Sequence, residues 1–385
     1  MRIKKEVRKI VASVLAFLMV VSLIPVNSLM TKANAASKTT FEGGKTVEDG
    51  TWKGWTWNVF GSSTDVTKAF ATDTGNGGVT LEVTGDKGKI NGSASDQGLN
   101  TFLYELDKSY DFTITAQAKV DTLAANAQAA FGLTIRDNVG AHGNTAKLTA
   151  DKNNFAFVGG YGNQAASGHG NAGYKTTALA HTRLGESPEV GGTYDLAIQK
   201  VGDSVKLYFN GEVAAECSAD DLITDNAMYV GLFAARNAKV TFNNVKLAYT
   251  QDSSSVKVTT NVTAPKKTTY CAGNTYEDVD LTGFKATVSV DGKEREITAS
   301  DCVVDMSNDP FAEVTDAGKL NLLYLGQTIE VPITVIKEVV SDMYIEYMPV
   351  KTDYMVTDTA LDFTGLVGKV VYNSGRTFDL KTLID

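Results

Sequence analysis

The sequence predicts an all-β protein, and three observations support that class. Apolar residues recur at every second position over long stretches, for example from Phe112 to Val120. Apolar residues at helical spacing are scarce. Pairs such as Asn210-Gly211 and Asp291-Gly292, which readily adopt positive φ, separate apolar runs and are typical of tight hairpins.

The first 35 residues have the organisation of a signal peptide. Lysines and arginines precede an apolar run, Ile10–Ile24, and Ala33-Asn34-Ala35 matches the small-x-small pattern that signal peptidase accepts. We expect cleavage before Ala36 and an extracellular location, secreted or on the cell surface. An uncleaved anchor is the alternative, but the run is shorter than the roughly 20 apolar residues that span a bilayer. We therefore expect no membrane insertion of the cleaved chain.

Charge and cysteine content limit the classes of partner. The predicted leader holds six Lys or Arg and one Glu, so its removal changes the formal net charge from −9 to −14. Such an acidic surface disfavours nucleic acid and anionic lipid as partners. The odd number of cysteines, Cys217, Cys271 and Cys302, argues against a disulfide framework, although a bond between Cys271 and Cys302 stays open.

The segment from Phe41 to Tyr249 is predicted to form one large sandwich. Asn210-Gly211 is expected to turn a hairpin, and a one-residue slip of the alternation at Asn243-Asn244 predicts a bulge. Ser218 is placed to cap a single helical turn. A domain of about 210 residues suits two packed sheets, so we assign residues 36–250 to it.

The order of these segments resembles concanavalin/laminin-G-like jelly-roll domains. The matching segments are Phe112-x-Ile-x-Ala-x-Ala-x-Val120, Phe131-Gly-Leu-Thr-Ile-Arg-Asp137, Tyr208-Phe-Asn-Gly211, Tyr229-Val-Gly-Leu-Phe233 and Val240-Thr-Phe-Asn-Asn-Val245. Similar domains accompany pectin-degrading and other polysaccharide-degrading enzymes of Gram-positive bacteria. The resemblance implies a polysaccharide or glycan as ligand.

An internal repeat follows the polar linker Thr250-Gln-Asp-Ser-Ser-Ser255. The segments Pro265-x-x-Thr-x-Tyr270 and Asp280-x-Thr-Gly-Phe284 recur as Pro349-x-x-Thr-x-Tyr354 and Asp362-x-Thr-Gly-Leu366. This pattern resembles the group 3 bacterial Ig-like domains. We assign residues 251–261 to the linker, 262–338 to one Ig-like domain and 342–385 to a second.

The second copy stops at Asp385, soon after the Ser374-Gly375 turn that corresponds to Asp291-Gly292. Half a sandwich would expose its apolar face and an unpaired edge strand. We therefore expect this last module to be incomplete and the chain to be a fragment of a longer protein.

A glycine-rich stretch from Phe155 to Gly192 is the candidate sugar-binding surface. Aromatic rings stack on the apolar faces of sugars, and amide, carboxylate or guanidinium groups bind their hydroxyls. The residues expected to contribute are Arg136, Asp137, Tyr161, His169, Tyr174, His181 and Trp52, with Arg183 beside them. The alternatives are a structural ion pair between Arg136 and Asp137 and glycines that only form turns. Trp55 and Trp57 share one strand face and are expected in the core, whereas Trp52 is expected to be exposed.

Catalytic patterns are incomplete. Glu105 and Asp107 provide half of the carboxylate pattern of sandwich-fold glucanases, but Lys108, Ser109 and Tyr110 stand where the third acid is needed. The three histidines match no compact zinc pattern. We therefore expect a region without catalytic activity.

One structural calcium ion is the cofactor that we consider. The jelly-roll resemblance implies acidic ligands near the first and last strands, where Glu42 and Asn243 lie. Asparagine in place of aspartate weakens the attraction for a hard cation.

Three functions from different classes follow. We prefer a secreted, non-catalytic carbohydrate-binding and spacer region, the N-terminal part of a larger extracellular polysaccharide-degrading enzyme such as a pectate lyase. The alternative is a cell-surface adhesin with a lectin-like head and an Ig-like stalk. The third is an enzyme within Phe41 to Tyr249.

Overall fold

The computed structural model describes residues 39–61, 64–90, 97–125, 128–146, 148, 153–162, 164–170, 179–185, 187–356, 360 and 362–379. Regular structure in these residues is almost entirely β, which confirms the predicted fold class. None of the helices in this part of the chain has the length and apolar character that crossing a bilayer requires.

The first domain is a sandwich of two antiparallel sheets. Its elements are β1 (Thr39–Thr40), β2 (Trp55–Phe60), β3 (Ala69–Asp73), β4 (Val79–Val83), β5 (Leu99–Asp107), β6 (Asp111–Leu123), β7 (Ala130–Arg136), β8 (Phe155–Tyr161), β9 (Gln164–Gly170), β10 (Leu179–Arg183), β11 (Thr193–Val201), β12 (Ser204–Phe209), β13 (Glu212–Ser218), α1 (Ala219–Leu222), β14 (Ala227–Ala235) and β15 (Ala238–Thr250). The strand order is β1-β3-β4-β15-β6-β11-β12-β13 in one sheet and β10-β9-β8-β7-β14-β5-β2 in the other. This is the predicted jelly-roll type of sandwich.

Period-two alternation builds the core between the two sheets. On β6 the alternate residues from Phe112 to Val120 are buried in the shared cluster, together with Leu133 of β7 and Val230 of β14. Buried Asn100 ties the sheets at one edge, because its Oδ1 accepts from Trp57 Nε1 at 2.7 Å while its Nδ2 donates to main-chain carbonyls of β3 and β4.

A second apolar layer covers part of the outer face of the seven-stranded sheet. Buried phenylalanines, including Phe60, Phe155 and Phe233, lie on that face, and Val139 and Leu148 of the long β7–β8 connection pack against them. Much of this outer face is therefore buried under loops. That arrangement determines which predicted site residues can reach solvent.

Glycines let neighbouring strands of the same sheet approach closely. Gly132 and Gly159 face each other across β7 and β8 with φ values of 152° and 151°. A Cβ atom on Gly132 would lie 2.0 Å from the Val158 carbonyl oxygen, so another residue would force the strands apart.

The predicted local features of this domain are confirmed. Asn210 and Gly211 turn the β12–β13 hairpin with φ values of 49° and 85°. The pairing of β15 with β6 shifts after Asn243, as expected of a bulge. Ser218 caps α1, since its Oγ accepts from the Asp221 main-chain N–H at 3.2 Å.

The second unit is a smaller sandwich. Its strands are β16 (Lys257–Thr263), β17 (Thr269–Cys271), β18 (Lys285–Val290), β19 (Lys293–Thr298), β20 (Val303–Asp305), β21 (Thr315–Tyr324) and β22 (Gln327–Ile336). They form one sheet ordered β16-β18-β19 and another ordered β17-β22-β21-β20 around a separate core. Cys271 and Cys302 are buried free thiols, so the disulfide that the sequence left open does not form.

The third unit contains β23 (Val340–Tyr347), β24 (Val367–Tyr372) and β25 (Thr377–Asp379), paired in one sheet. Apolar side chains on β23 are exposed, for example Met343 and Ile345 at 66% and 56%. The assignment of the second and third units to the Ig-like class stays a prediction.

The sequence repeat corresponds to repeated contacts. The Tyr270 hydroxyl accepts from the Asp280 main-chain N–H at 3.3 Å, and the Tyr354 hydroxyl accepts from that of Asp362 at 2.7 Å. In both copies the aspartate Oδ1 accepts at 2.9 Å from the N–H of the threonine two residues later. The repeated residues therefore fold one recurring corner at the start of each unit.

Candidate functional site

Three side chains suited to binding sugars meet at the edge of the seven-stranded sheet. Tyr161 ends β8, and His181 and Arg183 lie on the edge strand β10. The ring centroids of Tyr161 and His181 are 5.0 Å apart, and the Arg183 guanidinium carbon lies 5.0 Å from the Tyr161 centroid. Arg183 also donates to the Tyr161 main-chain carbonyl. We name these three residues the edge cluster.

Strand register places the edge cluster. On β9, which lies between β8 and β10, Gly168 faces His181 and Ala166 faces Arg183. Because these two β9 residues have little or no side chain, the imidazole and the guanidinium can reach across β9 to Tyr161. The glycines of this region thus make room for the cluster as well as forming turns.

The edge cluster has the chemistry of a binding surface. His181 and Arg183 are exposed, while Tyr161 is half-buried with its ring 6.3 Å from that of Phe157 in the layer beneath. A tyrosine ring can stack on the apolar face of a sugar, and a guanidinium donates paired hydrogen bonds to hydroxyls or to a carboxylate. The cluster combines both groups at one accessible edge.

The other predicted residues from the glycine-rich stretch are not placed. His169 lies on β9, but its side chain is not among those that the structure describes. Tyr174 lies outside the described residues. Of the seven residues predicted to bind carbohydrate, the structure therefore brings together Tyr161 and His181.

Arg136 is not a surface residue, contrary to the prediction that it contributes to the sugar-binding surface. It is fully buried at the end of β7, where its Nε donates to the Asn138 carbonyl at 3.1 Å. Its Nη2 donates to the side-chain oxygens of Gln97 and Asn153. The guanidinium also lies against the ring of Phe155 at 5.0 Å. The cause is the covering loops, which supply these acceptors and exclude solvent.

Asp137 is buried next to Arg136 and also cannot meet a ligand at the surface. Its carboxylate accepts from the main-chain and side-chain N–H groups of Asn154, both at 3.0 Å, and from the Thr224 hydroxyl at 3.3 Å. Burial raises the pKa of Asp137 to about 6, against the opposing effect of the Arg136 charge. A structural role for Arg136 and Asp137 therefore fits the structure better than a role in binding a ligand, although each residue bonds to its own set of partners.

Trp52 is in the core, so the expectation that it is exposed is wrong. The side chain is 4% exposed and packs edge-on against Trp55 and Phe102, with centroids 5.7 Å and 5.4 Å away. Trp55 and Trp57 are buried as predicted. Trp52 is buried because the rings of Phe41, Trp55 and Phe102 pack around it in the core cluster.

The structure does not bring Glu42 and Asn243 together as calcium ligands. The exposed Glu42 carboxylate pairs with Lys45 Nζ at 2.6 Å. Asn243 lies on β15, separated from β1 by strands β3 and β4, which alone amounts to about 14 Å at the spacing of paired strands. Ligands of one calcium ion must each lie about 2.3–2.6 Å from it. This pair is therefore wrong as a ligand set, and calcium binding itself stays a prediction.

One polar pair on the outer face was not predicted. Tyr229 of β14 lies between Arg136 and Glu105 in the strand register, and its hydroxyl bonds to the Glu105 carboxylate. Burial, followed by the charge of Glu105, raises the pKa of Tyr229. The alternation of β5 and β14 places both residues on the outer face and was the signal that could have revealed the pair.

The fold and the edge cluster define a two-sheet β-sandwich protein of jelly-roll type whose accessible sheet edge presents an aromatic and basic surface. No protein-family model matches the chain. It is 29% identical over 327 residues to "Pectate lyase L" of Thermoclostridium stercorarium, a match that spans 83% of this chain and 24% of that protein. The chain thus covers about a quarter of the length of this relative.

Solved structures with similarity to part of the chain include a carbohydrate-binding module, CBM66, from Bacillus subtilis. It is 18% identical, with a TM-score of 0.33, over 54% of this chain and 98% of the module. Lectin II from Ulex europaeus is 10% identical, with a TM-score of 0.35, over 55% of this chain and 98% of the lectin.

Proposed function

We propose that this chain is a secreted, non-catalytic carbohydrate-binding region that holds a pectic polysaccharide at the edge cluster. The observation that carries the proposal is the meeting of Tyr161, His181 and Arg183 on one exposed sheet edge. The tyrosine supplies a stacking face, and the guanidinium supplies donors that match a galacturonate carboxylate.

The similarity to a pectate lyase supports the choice of polysaccharide. A stretch covering most of this chain resembles about a quarter of that enzyme, so bond cleavage is assigned in this proposal to other parts of a longer protein. The second and third units then act as Ig-like spacers. The predicted leader supports an extracellular location.

The acidic residues on the outer face support a role in binding only. Asp107 ends β5 in a turn in which the Ser109 hydroxyl and main-chain N–H bond to its carboxylate and lower its pKa. A general acid of a glycosidase needs a raised pKa. Glu105, the other member of the predicted half-pattern, is bonded to Tyr229. These hydrogen bonds are more typical of carboxylates at a strand end than of a catalytic pair.

Affinity electrophoresis of the full chain tests the proposal. The gels contain homogalacturonan, arabinan, xylan or levan, and a gel without polysaccharide gives the reference mobility. We expect homogalacturonan to retard the chain most, because Arg183 meets its carboxylates at this edge although the net charge of the chain is negative. Unchanged mobility in all four gels would refute the proposal, and release of unsaturated or reducing sugar by the same preparation would refute its non-catalytic part.

The charge contribution is tested with Arg183→Gln. We expect the retardation in homogalacturonan to fall, and the remaining retardation to depend less on salt, because one screened ionic contact is lost. Lys319→Gln is the matched control, because it removes one positive charge at an exposed position of the second unit. This variant should be retarded by homogalacturonan as much as the wild type.

A further inference from the structure

A cavity of about 370 Å³ lies between the first sandwich and the second unit. Its volume falls within the roughly 300–1,000 Å³ that small-molecule sites occupy, and domain interfaces are common places for such sites. One wall is the outer face of β6, β11 and β12, and the other is formed around β20 of the second unit. The cavity lies on the eight-stranded sheet and is distinct from the edge cluster on the seven-stranded sheet.

Direct contacts hold the two walls together. Thr115 Oγ1 donates to the Ser300 carbonyl at 2.7 Å, and Thr113 Oγ1 accepts from the Leu325 main-chain N–H at 3.1 Å. Ala197 and Tyr208 of the first sandwich pack with Val303 of the second unit in a small apolar cluster. Both units therefore contribute to the walls of the cavity, and neither unit forms it alone.

Tyr208 is the tyrosine of the first sandwich in the wall of this cavity. The residue is 2% exposed and lies between the two units. Burial, with the charges of Asp305 and Glu216, raises the pKa of Tyr208 to about 12, so the hydroxyl keeps its proton at neutral pH. A protonated tyrosine hydroxyl can donate a hydrogen bond to a hydroxyl of a ligand in the cavity.

The rim of the cavity carries neutral amides and one carboxylate. Asn210, Asn244 and Asp195 are exposed there and give access from solvent. Gln117 Oε1 accepts from Asn244 Nδ2 at 2.9 Å, which orients both amides. Lysine, arginine and histidine are absent from the described lining, and a carboxylate is present, so the site disfavours anions.

We propose that this interdomain cavity binds a neutral sugar residue, with Tyr208 donating to a ring hydroxyl and the apolar wall covering a ring face. Leu281, Val279 and Met306 provide that apolar wall from the second unit. The amides on the rim supply both donors and acceptors, as a polyhydroxylated ring requires. Because the two units share the site, a bound sugar also stabilises their contact.

Saturation-transfer NMR and calorimetric titration of the full chain test this proposal. The probes are the neutral monosaccharides arabinose, galactose, glucose, mannose, xylose and rhamnose, and galacturonate is the anionic comparison. We expect at least one neutral sugar to bind with 1:1 stoichiometry and galacturonate to bind more weakly at this site.

Two variants locate the binding. Tyr208→Phe keeps the ring and removes the donor, and should weaken neutral-sugar binding by about 2- to 10-fold, the loss expected for one hydrogen bond. Met306→Trp fills the cavity from a half-buried position and should abolish binding. Tyr161→Ala, in the edge cluster, should leave this binding unchanged.

Three results would overturn the proposal: no binding of any neutral sugar, equal binding by wild type and Tyr208→Phe, or loss of binding in Tyr161→Ala alone. The last result would assign the sugar to the edge cluster. The two proposals can also fail separately. If the wild-type chain binds no polysaccharide, but its neutral-sugar binding weakens in Tyr208→Phe, the proposed function fails and this site stands.

Discussion

Replacing Arg136 by methionine tests whether this arginine is part of the framework. The guanidinium donates three hydrogen bonds to protein acceptors, and methionine retains only the apolar stem. Charged hydrogen bonds contribute about 1.5–3 kcal/mol each, or about 4–9 kcal/mol together. Burial lowers the pKa of Arg136 to about 10, a desolvation cost of about 3 kcal/mol that the variant recovers. The expected loss of stability is therefore about 1–6 kcal/mol, a range that includes the about 3–5 kcal/mol typical for removal of one member of a buried charged set.

Urea unfolding followed by tryptophan fluorescence measures this loss, because Trp52, Trp55 and Trp57 all lie in the first sandwich. Arg183→Met is the matched control, since that arginine is exposed, and it should change stability by less than about 0.5 kcal/mol. A loss below about 1 kcal/mol for Arg136→Met would refute the structural role and return Arg136 to the candidates for ligand binding.

Three further predictions concern the same domain. Trp52→Ala should lower the free energy of unfolding by about 3–5 kcal/mol in the same urea assay, because it empties a core position, whereas an exposed tryptophan would lose little. Gly132→Ala should destabilise by more than about 2 kcal/mol, because its Cβ would meet the Val158 carbonyl at 2.0 Å, and Gly202→Ala, with open space around it, should cost about 1 kcal/mol. Burial raises the pKa of Asp137 from 3.8 to about 6, so between these pH values the folded state keeps a proton that the unfolded state releases. The contribution of Asp137 to stability should thus fall by about 3 kcal/mol as pH rises from about 3 to 7, and Asp137→Asn should remove that slope in unfolding curves measured across the range.

The strands and turns could be predicted because they depend on local chemistry. Alternation from Phe112 to Val120 identifies a strand with one buried face, and Asn210-Gly211 tolerates the positive φ that a two-residue turn needs. The repeat was equally readable, since the tyrosine and aspartate of each copy make the same hydrogen bond. In each case the interacting residues are close in sequence.

The burial of Arg136 and Trp52 could not be predicted, because distant residues cause it. The side-chain acceptors for Arg136 are Gln97 and Asn153, which lie 39 and 17 residues away in the sequence. The alternation of β7 alone places Arg136 on the outer face of the sheet, which would be exposed to solvent if no loops covered it. The edge cluster was found in part, because Tyr161 and His181 lie in one glycine-rich stretch whose strand pairing then brings them together.

The most direct test of carbohydrate binding at the edge cluster compares two tyrosine variants of the full chain in homogalacturonan gels. Tyr161→Ala removes the stacking ring of the cluster, and Tyr347→Ala removes a ring that is 62% exposed on β23. The account predicts at least about fivefold weaker binding for Tyr161→Ala, corresponding to about 1 kcal/mol, and wild-type binding for Tyr347→Ala. Equal retardation of wild type and Tyr161→Ala, with both folded by tryptophan fluorescence, would contradict it.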